Sequence, residues 1–122
     1  MFTRGLIDDG RGNPVVGAHV RVLDDTGAPL AFTFTNVNGC FLISARAPKG
    51  AKRYTIDIAA TGFKPVRQDF DLGADVLIGA LAPSSTPEES RLHVATSSER
   101  SDRWIPICAP PATMGSDSLT PN

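Results

Sequence analysis

Few side chains in this sequence have the types that chemistry needs, and their spacing limits what each can do. The two histidines are His19 and His93. His19 stands beside Arg21 on the polar side of an alternating run, and His93 lies in a Ser/Thr-rich stretch. A general base needs an orienting partner within hydrogen-bond reach. The sequence identifies none for either, so both read as solvated or interface residues. Asp8, Asp9, Asn13, Asp24 and Asp25 could be drawn as a calcium cluster, but hard cations want converging oxygens at a spacing such as Asp-x-Asp-x-Asp-Gly. That spacing is absent, and turn formation accounts for these residues better. Cys40 and Cys108 are too few for a disulfide framework and lack metal-ligand spacing. One bridge and two free thiols both remain open. No cofactor and no metal is expected.

The totals narrow the function classes further. A chain of 122 residues makes one domain with enough apolar surface to fold unaided. Lys+Arg 12 against Asp+Glu 13 leaves a net charge of −1, which gathers no phosphates, so nucleic acid is not an expected partner. No stretch approaches the roughly 20 apolar residues that span a bilayer, so membrane insertion is not expected. The first residues lack the apolar run and small-residue cleavage site of a signal peptide. The expectation is synthesis in the cytoplasm, with export only as part of an assembled particle.

The elements that must position these residues are strands. Up to residue 82, short β-rich runs alternate with Gly/Pro/Asn/Asp turns, as in a sandwich or barrel. The runs are Arg4–Asp8, Ala18–Leu23, Leu30–Thr35, Phe41–Arg46, Tyr54–Ala59, Val66–Leu72 and Val76–Leu81. In the second, Val20 and Val22 oppose His19 and Arg21, and in the fifth Tyr54, Ile56 and Ile58 turn inward. From Pro83 the composition shifts to Ser, Thr and Pro without a sustained period. The expected organisation is therefore a sandwich over residues 1–82 and an extended irregular tail over residues 83–122.

Surplus apolar residues carry the functional signal. If Phe41 and Ile43 face the core, Cys40 and Leu42 face outward on the same strand. The last run, which includes Leu77, is apolar on both faces, where a wet outer face should alternate with polar residues. Phe32 and Phe34 add to the excess. Within the tail, Trp104-Ile105-Pro106-Ile107-Cys108 is a compact apolar cluster holding the only tryptophan, a composition suited to an anchor in a groove. The expected interface residues are Cys40, Leu42, Leu77, Trp104, Ile105 and Ile107, covered by a partner or by the chain's own tail.

Three runs carry a resemblance: Gly5-x-Ile7-x-Asp9 continuing through Asn13-Pro14 and Gly17-Ala18 to Val20 and Val22; Thr35-Asn36-x2-Gly39-x-Phe41-x-Ile43; and Tyr54-x-Ile56-x-Ile58-x3-Gly62-Phe63. Together, over residues 4–82, they resemble the carboxypeptidase regulatory-like family. The resemblance implies an all-β, seven-stranded, transthyretin-like (prealbumin-like) Greek-key sandwich, and usually an accessory role. Enzymes of related folds can be compared residue by residue. Hydroxyisourate hydrolases carry a first-strand His and a C-terminal Tyr-Arg-Gly-Ser, where this chain has Gly5 or Leu6 and ends Ser118-Leu119-Thr120-Pro121-Asn122. Intradiol dioxygenases need two Tyr and two His, and Tyr54 is the only tyrosine here. Isopeptide-forming relatives start from a first-strand Lys, whereas the first lysine here is Lys49. No catalytic residue and no enzyme activity is expected.

The resulting expectation is a non-catalytic structural or adaptor protein. It would dock by an apolar face and its tail onto other protein subunits, or onto copies of itself, in a larger assembly such as a virion, phage tail or injection system. The alternative is a carbohydrate- or surface-binding module using Phe32, Phe34, Phe63 or Trp104 on a glycan.

Overall fold

A computed structural model of the chain describes residues 2–109. Eight strands are present: β1 (Phe2–Asp8), β2 (His19–Leu23), β3 (Pro29–Phe34), β4 (Cys40–Ser44), β5 (Arg53–Ala59), β6 (Val66–Asp71), β7 (Val76–Ala80) and β8 (Arg91–Val94). They form two four-stranded sheets, ordered β4-β1-β7-β8 and β3-β2-β5-β6. All neighbours are antiparallel except β1 and β7, which run parallel with Gly5 opposite Leu77.

The alternation read from the sequence builds the core between the sheets. Val20 and Val22 from β2, Ile56 and Ile58 from β5, and Phe41 and Ile43 from β4 are buried there with Ile7 and Leu77. Burying such side chains is the main drive for folding, roughly 1.5–3 kcal/mol each against full exposure. The one phenol among them is satisfied, because Thr3 Oγ1 donates to Tyr54 Oη at 3.3 Å and Tyr54 Oη donates to the Ala74 carbonyl at 3.2 Å. Local chemistry fixes the corners. Asn36 Oδ1 accepts from the N–H of Asn38 and Cys40, and Gly39 takes φ 81° with its Cα directed at the Ile7 carbonyl, where a Cβ would sit 2.4 Å from the oxygen.

Two expectations require correction. The sandwich has eight strands, and it does not close at residue 82. Strand β8 pairs with β7, placing Leu92 in the core opposite Gly79. It also covers backbone groups that β7 would otherwise leave unpaired. Nor are the described residues after Pro83 an extended tail. Residues 97–108 form a helical strap made of a first turn Ser97–Glu99, a π-helical stretch Arg100–Trp104 and a last turn Ile105–Cys108. A capping box starts it: Thr96 Oγ1 accepts from the Glu99 N–H at 3.1 Å, and Glu99 Oε1 accepts from the Thr96 N–H at 2.9 Å. Pro106 lies in the last turn, which follows the π-helical stretch without a break, so it brings no backbone N–H to the strap. No helix among the described residues is long and apolar enough to cross a membrane.

Candidate functional site

The strap lies on the outer face of the β4-β1-β7-β8 sheet. Strand β1 alternates strictly, so Thr3, Gly5 and Ile7 face the core while Arg4, Leu6 and Asp8 face the strap. Leu6, Cys40, Val76 and Ile78 form an apolar floor, and Trp104 is buried on it. This explains the last sequence run: Leu77 faces the core and Val76 and Ile78 face the strap, so β7 is buried on both sides. Leu77 is 0% exposed. Its expected place at an interface is therefore corrected to the inter-sheet core.

Three polar pairs and one covalent link hold the strap. Arg103 donates to Asp8 at 2.7 Å. Asp75 accepts two bonds from Arg4, at 3.2 and 2.7 Å, and one from Arg100 at 3.4 Å. The Arg4 hydrogen bond is the main cause of an Asp75 carboxyl held below its ordinary range. Glu99 is lowered chiefly by the Thr96 N–H and then by His93, whose Nε2 lies 2.9 Å away. Finally, Cys40 and Cys108 form a disulfide with Cα atoms 5.6 Å apart, closing a loop of 68 residues. In the chain-entropy account, a loop of that length contributes about 4 kcal/mol. Cys40 does face outward on β4, as its alternation requires, but it is buried under the strap.

The remaining expected interface residues divide. Trp104 is 6% exposed, so it anchors the chain to itself, and its Nε1 is buried without a hydrogen-bond partner. Ile105 and Ile107 project from the strap and are about half exposed, like Leu42 on β4. Sequence signals for the strap were present but short: Thr96-x-x-Glu99 has capping-box spacing, and Trp104 and Cys108 stand four apart, on one helical face.

An exposed apolar feature lies beside the strap, along the seam where edge strands β3 and β4 approach. A groove of about 420 Å³ there is lined by Phe2, Arg4, Phe34, Leu42, Trp104 and Cys108, among others. Phe32 and Phe34 are 64% and 56% exposed. They pack edge to face with centroids 6.0 Å apart, and His19 stacks on Phe34 at 5.0 Å. Neither β3 nor β4 carries a charged residue. The other two edges do: β6 holds Arg67, Asp69 and Asp71, and β8 holds Arg91. Charges of that kind protect an edge from pairing with other chains.

The turn carboxylates have local work. Asp9 accepts from the Asn13 side chain and the Arg11 and Asn13 N–H groups, and Asp24 accepts from the Thr26 hydroxyl and the Thr26 and Ala28 N–H groups. Those bonds hold both carboxyls below their ordinary value, the Asn13 and Thr26 side chains contributing most. Among the described residues, no three His, Cys, Asp or Glu side chains are grouped to hold a metal.

Comparisons with known proteins bear on this geometry. The carboxypeptidase regulatory-like domain matches residues 3–77. The solved structure of 5-hydroxyisourate hydrolase from Klebsiella pneumoniae superposes with a TM-score of 0.61 at 23% identity, over 79% of this chain and 100% of that one. At that identity the likeness concerns the fold, which is transthyretin-like. No curated protein sequence matches the chain.

Proposed function

Since this chain belongs to the carboxypeptidase regulatory-like domain family, a fold on which function resides in grafted sites, we propose that it is a non-catalytic docking module. In this reading it joins a larger protein assembly through the β3/β4 edge. One observation carries it: the two uncharged edge strands lie on the same side of the sandwich as exposed Phe2, Phe32, Phe34 and Leu42. Contiguous apolar surface of this kind marks interaction sites in soluble proteins. A catalytic reading has less support. His93 and Glu99 form the one close His–carboxylate pair among the described residues, and both anchor the strap. His19 is engaged with two phenylalanine rings.

The glycan alternative is weaker on geometry. Phe32 and Phe34 meet at an interplanar angle of 81°, so they form a ridge, whereas stacking a sugar chain calls for faces presented side by side. The disulfide supports a place in an oxidising setting, such as an exported protein or the surface of a particle, because such bonds persist there.

The edge reading is tested in the native assembly. A photo-crosslinking residue at position 34 or 42 should capture one recurrent partner protein, and the same residue at position 69 should not. Phe34→Asp with Leu42→Asp should release the chain as a folded monomer. Equal capture at all three positions, or undiminished assembly of the double variant, would overturn the reading.

A further inference from the structure

We infer that the Cys40–Cys108 disulfide is a redox latch on the strap, and that its reduction uncovers a second apolar face on this domain. The strap's attachment is uneven along its length. Its first half is tied by the capping box and by the ion pairs of Glu99, Arg100 and Arg103. Its last turn, Ile105–Cys108, has no ion pair to the sheet among the described residues, and its one side-chain polar contact there is Cys108 Sγ, 3.9 Å from the Gly5 carbonyl oxygen and with no proton to donate while the disulfide is closed. Ile105 and Ile107 are only about half buried, so beyond Trp104 the disulfide is the turn's principal hold. Trp104 itself is an incomplete anchor, since its Nε1 gave up water without gaining an acceptor. In the released state that N–H regains a solvent partner.

The two sulfurs differ in access. Both cysteines line the groove, but Cys40 is only 8% exposed whereas Cys108 is the more exposed of the two. An external dithiol therefore reaches Cys108 first. Its thiolate attacks Cys108 Sγ, the bond between the cysteines breaks, and Cys40 Sγ leaves with the electron pair and takes a proton. The dithiol's second sulfur then displaces Cys108, leaving two protein thiols and an oxidised dithiol. Once freed, the last turn lifts, exposing Leu6, Val76 and Ile78 and removing the groove wall made by Trp104 and Cys108. The loss of the wall matters for docking only if the β3/β4 edge is the docking surface. The release does not depend on that reading.

Trp104 is the only tryptophan, so its fluorescence reports the latch directly. Full reduction of the whole chain, verified by two titratable thiols, should shift its emission to the red. Quenching by acrylamide should rise several-fold, while the far-ultraviolet circular dichroism of the strands is kept. Cys40→Ser with Cys108→Ser should show the same signature without reductant. Unchanged emission and quenching after full reduction would overturn the latch. So would loss of the whole β-signal, which would make the bond a general staple. Binding at the β3/β4 edge, read separately by the position-34 crosslink, should weaken on reduction. A crosslink unaffected by reduction, with a clear fluorescence change, would leave the latch standing and remove its link to docking.

Discussion

The Arg4 guanidinium stands 4.7 Å from the centre of the Trp104 ring while the same group holds Asp75 at 2.7 Å. One side chain of β1 thus clasps the strap through its indole and the β6–β7 turn through its carboxylate. A cation over an indole face contributes about 0.5–2 kcal/mol, more as it is desolvated.

Trp104→Ala should therefore destabilise the isolated chain itself. A buried tryptophan truncated to alanine costs about 3 kcal/mol or more, and the melting temperature of the disulfide-bonded protein should fall by several degrees. A variant with an unchanged melt would show that Trp104 spends little time on the sheet in solution.

Glycines separate close packing from backbone strain. At Gly5 a Cβ would lie 2.3 Å from Phe41 Cε2 and 2.6 Å from the Leu77 carbonyl oxygen, and the carbonyl cannot move without disturbing the β1–β7 pairing. Gly5→Ala should cost about 3 kcal/mol. Gly17 has open space around it but φ 74°, so Gly17→Ala should cost only about 1 kcal/mol. Denaturant midpoints of the two variants decide the ranking.

Acid should loosen the strap before it unfolds the sandwich. Asp75 and Glu99 both have carboxyls held below their ordinary values. Their contribution is complete above the unfolded-state values and disappears as pH falls through the lowered ones. Titration from about pH 6 to about pH 2 should raise Trp104 quenching before strand circular dichroism is lost. Simultaneous loss of both signals would contradict this order.

A chain ending at residue 82 should fold poorly. It lacks β8 and the strap, leaving the β7 edge unpaired and Leu6, Val76 and Ile78 in water. Such a chain should bind a hydrophobic dye strongly and melt broadly. A cooperative melt at the full-length temperature would return the domain boundary to Pro83.

Where the sequence could be read and where it could not follows from element length. β2 and β5 announce themselves because Val20/Val22 and Tyr54/Ile56/Ile58 alternate over a full strand, and the seven strands read from the sequence match β1–β7 to within one or two residues at most ends. β8 supplies only four residues with one inward side chain, Leu92, too few for a period to emerge. The strap is short for the same reason, and its apolar face amounts to Trp104 and Cys108. The surplus apolarity of β7 was visible, but periodicity cannot say what covers a face. The chain's own strap covers Val76 and Ile78, whereas Phe32, Phe34 and Leu42 stay exposed. Likewise, two cysteines in a sequence carry no pairing information until a fold brings β4 beneath residue 108.

The parallel contact between β1 and β7 has a consequence for how the protein is made. The first strand sits inside its sheet, between β4 and a partner more than seventy positions downstream, with Arg4 opposite Val76. During synthesis β1 can pair with β4 early, but its other edge waits until β7 leaves the ribosome. The strap that covers Leu6 emerges later still. Such long-range pairing makes folding slow for the size of the domain, and nascent chains pass through an interval with Leu6 uncovered and one edge of β1 open.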